Sequence, residues 1–164
     1  MKYYTGIGAR DTDHSIMVYM TQVAEALSDE GYTLRSGGAS GADTAFEEGA
    51  TLKDIYLPWQ GYNKSQSVLH NVGSTALSLA KDFHPNWDNL SFAVKKLMAR
   101  NAYQLLGEDL NTPSEFVVCY TANGKVTGGT GMSLRIAKNF NIPIYNFGNT
   151  PILEMQELIN SHLP

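Results

Sequence analysis

Three glycine-rich segments carry the residues in this chain that could do chemistry. The first is Ser36-Gly37-Gly38-Ala39-Ser40-Gly41-Ala42-Asp43, set between a short apolar run at 31–35 and a helix-like run at 44–50. Glycine tolerates positive φ and lets a ligand approach the backbone closely. A helix that follows such a turn points its free N–H groups and positive dipole end into it. The chemistry this offers is anion binding, most often of phosphate; a tight turn without a ligand uses the same residues. The second segment is Gly6-Ile7-Gly8-Ala9-Arg10, half of a dinucleotide fingerprint, with Asp11 where a third glycine would stand. The third is Thr127-Gly128-Gly129-Thr130-Gly131-Met132-Ser133.

Polar side chains near these turns are the other candidates. Asp43 and Glu47 are four residues apart on a helix and share a face, suited to a ribose hydroxyl or a water, or else to a solvated acidic first turn. Asn101 falls on the apolar stripe of Leu90, Val94, Leu97, Met98 and Leu105, where an amide needs a partner. That partner is either a structural hydrogen bond or a ligand, and Arg100 stands next to it. Trp59, Tyr62, Asn63 and Lys64 lie around an irregular stretch at 60–72 that suits base stacking or an ordinary surface loop.

The elements that must position these residues follow from periodicity. Strands are expected at 2–5, 32–35, 54–57, 115–120 and 142–147. Helices are expected at 15–30, 44–50, 74–83, 89–106 and 134–140, with a last one from Thr150-Pro151 that turns Leu153, Leu158 and Ile159 inward. Strands alternating with helices predict an α/β fold: a Rossmann-like open, mostly parallel sheet with helices on both faces. Right-handed crossovers gather the loops after the strands' carboxyl ends on one edge, so all three glycine turns converge there. A nucleotide or other phosphorylated small molecule is the ligand this convergence implies.

Composition narrows the classes. The 164 residues suit one domain, 1–164, and a net charge of −4 argues against broad nucleic-acid binding while allowing a local groove. Such a groove would draw on Trp59, Tyr62 and Trp87 with Arg10, Arg35 and Arg100. There is no phosphate-binding loop of the Gly-x-x-x-x-Gly-Lys type and no Gly-x-Ser-x-Gly elbow. His14, His70, His84 and His162 show no metal-ligand spacing, so no metal and no cofactor are expected. The lone Cys119 sits in an apolar run and reads as core. With no signal-peptide pattern and no long apolar run, a cytoplasmic protein with no membrane partner is expected.

Together, Gly6-Ile7-Gly8-Ala9-Arg10, the 36–43 segment, Arg100-Asn101 and Gly128-Gly129-Thr130-Gly131 resemble the SLOG superfamily. That group includes the DNA-processing protein A (Smf) family and the LOG family of nucleotide phosphoribohydrolases. The resemblance spans nearly the whole chain, and the Ser-Gly-Gly-Ala-x-Gly-Ala-Asp element is closest to the DNA-processing side. It implies a Rossmann-like nucleotide-binding fold, a homodimer, and a bacterial or infected-host cytoplasm, small stand-alone members being often phage-encoded. It also implies phosphate binding through Gly128, Gly129 and Gly131, and a functional arginine at Arg100. The phosphoribohydrolase motif Pro-Gly-Gly-x-Gly-Thr-x-x-Glu departs here, because Arg135 stands at the catalytic glutamate. If N-glycosidic hydrolysis occurs, Asp43 or Glu47 must supply the carboxylate. The alternatives are a non-catalytic nucleotide sensor or carrier and a single-stranded DNA-binding recombination mediator.

Overall fold

Five short strands rich in β-branched and aromatic residues form the centre of the molecule. A computed structural model describes residues 1–162, without the side chains of 158 and 162. The strands are β1 (Lys2–Gly8), β2 (Tyr32–Ser36), β3 (Lys53–Ile55), β4 (Val117–Tyr120) and β5 (Ile144–Asn146). They pair in the order β3-β2-β1-β4-β5, and every pairing is parallel. The register sets Tyr4 beside Leu34 and Thr5 beside Val117.

Alternation along the strands feeds two cores. Tyr4, Leu34 and Val118 face α1 (His14–Asp29), α2 (Ala42–Gly49) and α6 (Ile152–His162). Ile7, Val117 and Cys119 face α3 (Ser74–Phe83), α4 (Phe92–Leu106) and α5 (Gly128–Asn139). Helices thus cover both faces, as a parallel sheet requires, and the expected Rossmann-like class is the one observed. Among the described residues, no helix is long and apolar enough to cross a membrane.

Three local expectations are corrected. The glycines of the third turn are not a loop before a helix at 134; they are the first turn of α5, which begins at Gly128. α4 begins at Phe92 rather than 89, because Trp87–Asn89 closes a 3-10 turn and Ser91 caps the helix by accepting from the Val94 N–H at 3.3 Å. Leu153 is 77% exposed rather than inward. The stripe of α6 that meets the core is Ile152, Met155 and Ile159, and Leu153 sits one position off that phase. The side chain of Leu158 lies outside the described residues.

Candidate functional site

In a sheet ordered this way, the connections from β1 and β4 leave in opposite directions, and a crevice opens where they part. A cavity of about 450 Å³ occupies that crevice. Its walls come from the end of β1 and the turn after it (Gly8, Ala9, Arg10, Asp11), the turn after β4 (Thr121, Ala122), one face of α4 (Leu97, Met98, Arg100, Asn101, Gln104) and the start of α5 (Thr127, Gly128, Gly129, Thr130, Ser133), with Ala39 and Asp43 at the floor.

The 36–43 segment turns out to hold an anion of its own. The Asp43 carboxylate accepts from the Ala39 N–H at 3.1 Å. Asp43 is buried, and burial pushes its pKa up to about 6, against the opposing pull of Arg100, the N–H groups of Ala39 and Gly37, and Ser36. At least part of the donor set that could have cradled a phosphate is therefore turned inward. Gly38 takes φ of +70°, which glycine supplies without strain. Gly37 is required for a different reason: a Cβ there would lie 2.3 Å from Gln104 Nε2 and 2.8 Å from Arg100 Nη1.

That close approach lets α4 grip the turn. Arg100 Nη1 donates to the carbonyls of Gly37 and, at 3.3 Å, Tyr56. Its Nε donates to Asn101 Oδ1 at 2.8 Å, and Gln104 Nε2 reaches the same oxygen at 3.3 Å. Burial pulls the Arg100 guanidinium below its ordinary pKa, while attraction to Asp43 pushes back. Asn101 Nδ2 then donates to the Gly129 carbonyl at 3.3 Å, tying α4 to the first turn of α5.

The start of α5 is the open donor set. Thr127 makes no side-chain cap, and the Gly131 N–H donates to the Thr127 carbonyl at 2.8 Å. The N–H groups of Gly128, Gly129 and Thr130 come before that bond and have no partner within the helix. All three residues line the cavity. Thr121, on the facing wall, is fixed by Asn146, whose side chain bonds its N–H at 3.2 Å and its hydroxyl at 2.8 Å.

The structure brings together Gly8, Ala9, Arg10, Ala39, Asp43, Arg100, Asn101, Thr127, Gly128, Gly129 and Thr130. The remaining candidates lie elsewhere. Glu47 borders a separate cleft with Lys53 and Asn63, and Ser40 and Gly41 border another, between α1 and α2. Met132 and Ala42 are core residues, Gly6 packs on Phe46 and Leu34, and the Ser36 hydroxyl bonds the Gly6 carbonyl at 2.6 Å. Gly131 packs against Val126. Arg135, at the position of the family glutamate, donates to the Phe83 carbonyl at 3.1 Å and does not line the cavity. Gln104, Thr121 and Ser133 also line it: Ser133 ends the third glycine segment, Gln104 lies one turn beyond Arg100 on the same helix, and Thr121 carried no signal.

Two of the three expected aromatics and two of the three arginines of the groove also assemble. Tyr62 lies under the Arg100 guanidinium, 5.5 Å from its ring centroid, and its hydroxyl accepts from Arg10 Nη2 at 3.2 Å. Trp59 meets Tyr62 edge-on at 5.5 Å. Trp87 and Arg35 do not take part, being buried at 8% and 2% exposure. Trp87 belongs to the α3–α4 core, and Arg35 holds the loop after α4 through the Thr112 carbonyl at 2.6 Å.

Fold and cavity together define a Rossmann-like α/β protein with its concave site at the switch in strand order. No protein-family model and no curated protein matches the chain. Among solved structures it is similar to DNA processing protein A from Helicobacter pylori, a protein with a single-stranded DNA binding mode. The TM-score is 0.62 at 17% identity, over 98% of this chain and 79% of that one. It is also similar to the Moco carrier protein of Chlamydomonas rheinhardtii, with a TM-score of 0.55 at 19% identity, over 98% of this chain and 84% of that one. At these identities the likeness is one of fold.

Proposed function

We propose that the switch-point cavity binds a phosphorylated, nucleotide-like small molecule. One observation carries this: the uncapped start of α5 lines the same cavity as Arg10 and Arg100. Side-chain charge in the lining is formally balanced, Arg10 and Arg100 against Asp11 and Asp43. The preference for an anion therefore comes from the free N–H groups and the positive end of the α5 dipole. The volume is within the range of small-molecule sites. Both fold relatives bind something at the level of their names, a single DNA strand in one case and a cofactor cargo in the other.

The test is thermal stabilisation and calorimetric affinity with AMP, ADP, ADP-ribose and ribose 5-phosphate, on the native chain and on Gly129→Asp. Stabilisation lost in the variant supports the reading; no stabilisation by any of the four ends it. A second reading, hydrolysis of the base–ribose bond, is favoured by Asp43, a buried carboxylate on the cavity floor whose pKa of about 6 suits acid–base or charge-stabilising work near neutrality. Chromatographic detection of free base after incubation with nucleoside monophosphates decides between binding and turnover. A homodimer is part of the proposal as the resemblance implies it, and sedimentation velocity tests it.

A further inference from the structure

We propose that Trp59 and Tyr62 form a base-stacking subsite at the rim of the cavity, so that the ligand is a base on a phosphorylated ribose and not a bare sugar phosphate. This rests on the anion-binding reading above. Tyr62 is the link: it touches both cavity arginines, through its ring to Arg100 and through its hydroxyl to Arg10. Trp59 stands against it at an interplanar angle of 86° and remains 37% exposed, whereas the other tryptophan, Trp87, is buried. An exposed indole beside a cation and a phenol is the arrangement on which bases stack, because every base offers a π-face.

The platform is also held in place. Asn63 Nδ2 donates to the Gly38 carbonyl at 2.9 Å, pinning the 59–64 segment to the turn that Arg100 grips. Asn63 and Lys64 take φ of 51° and 62°, a left-handed backbone that asparagine adopts readily and that strains the lysine. Strain of this kind persists where surrounding contacts over-determine it. Arg10 lines the cavity and donates to the Tyr62 hydroxyl, so it connects the cavity to the aromatic pair.

Trp59 can report directly. With only two tryptophans in the chain, Trp87→Phe leaves Trp59 as the sole tryptophan, read by excitation selective for indole over tyrosine. AMP is expected to quench it and ribose 5-phosphate is not. By calorimetry, in a background that keeps Trp87, Trp59→Ala is expected to cut the preference for AMP over ribose 5-phosphate about tenfold, the scale of one stacked base. Tyr62→Phe should retain most of that preference and Tyr62→Ala should not. If AMP binds but its preference over ribose 5-phosphate is absent, or survives loss of both aromatics, the subsite is wrong and the cavity reading stands. If neither compound binds, the subsite falls, and the cavity reading falls with it when ADP and ADP-ribose also fail. If a 5′-phosphorylated oligo(dT) binds more tightly than AMP, with the same dependence on Trp59 and a steep loss with salt, the subsite stands and its base belongs to a strand end.

Discussion

Asp43 accepts a hydrogen bond from the N–H of Ala39, four residues before it, at 3.1 Å. The acidic residue at the start of α2 thereby closes the glycine turn that precedes it. The turn is then rigid enough for Arg100 to hold it by the Gly37 carbonyl.

The buried carboxylate makes stability depend on pH. Its ordinary pKa of 3.8 rises to about 6 on folding, chiefly through desolvation. Between those values the folded chain holds a proton that the unfolded chain has released, so stability falls as pH rises through that window. The shift corresponds to a loss of about 2–3 kcal/mol. Urea unfolding at pH 4.5 and pH 7 should show this loss in the native protein, and Asp43→Asn should lack it. Equal pH dependence in both would mean that Asp43 is not protonated on folding.

Arg100 has structural and binding roles that two substitutions separate. Arg100→Ala leaves the Gly37 and Tyr56 carbonyls and Asn101 Oδ1 without their guanidinium donor. Loss of hydrogen bonds from a buried charge is expected to lower stability by about 2–3 kcal/mol, measured by denaturant midpoint. Arg100→Lys keeps the charge but not the fork. It should recover part of the affinity for AMP and little of the stability. Full recovery of both by lysine would show that the planar geometry does not matter.

Much of this was legible in the chain before any coordinates. Alternation of strands and helices gave the parallel sheet, and the positions of Gly8, Gly37 and Gly129 after strands or at a helix start put them near one edge. The role of the 36–43 segment was not legible. A run of glycines and serines announces backbone donors, but whether they face a ligand or the chain's own carboxylate depends on the rotamer of Asp43. Glu47 lies off this cavity for a related reason: sharing a helix face with Asp43 does not settle how far that face extends into the cavity, and the next turn of α2 opens on a different cleft. Thr121 carried no motif, since a hydroxyl lining a cavity has the same sequence signature as one in any helix or turn.

Cys119 should be inert in the native protein. It is fully buried, and burial pushes its thiol pKa up to about 12. The thiolate is the reactive form. Ellman's reagent at pH 8 should therefore label essentially no thiol in the folded chain and one per chain in urea. Rapid labelling of the folded protein would place Cys119 at the surface or reveal frequent opening of the sheet.

Two glycines, Gly37 in the first turn and Gly129 in the third, should behave in opposite ways. A Cβ on Gly37 meets Gln104 Nε2 at 2.3 Å and the Arg100 guanidinium at 2.8 Å, so Gly37→Ala must displace the network that anchors α4 to the turn. A Cβ on Gly129 meets only Met98 Cε at 3.7 Å, an ordinary contact, and its φ lies outside the left-handed region. Gly129→Asp also sets a carboxylate in the first turn of α5, where the helix dipole favours it by about 0.3–1 kcal/mol. Thermal unfolding should thus show Gly37→Ala destabilised and Gly129→Asp unchanged or more stable. Affinity for AMP should nonetheless drop at least tenfold in Gly129→Asp, because the new charge occupies the donors a phosphate needs. A stable Gly129→Asp protein that binds AMP as the native chain does would move the anion site away from α5.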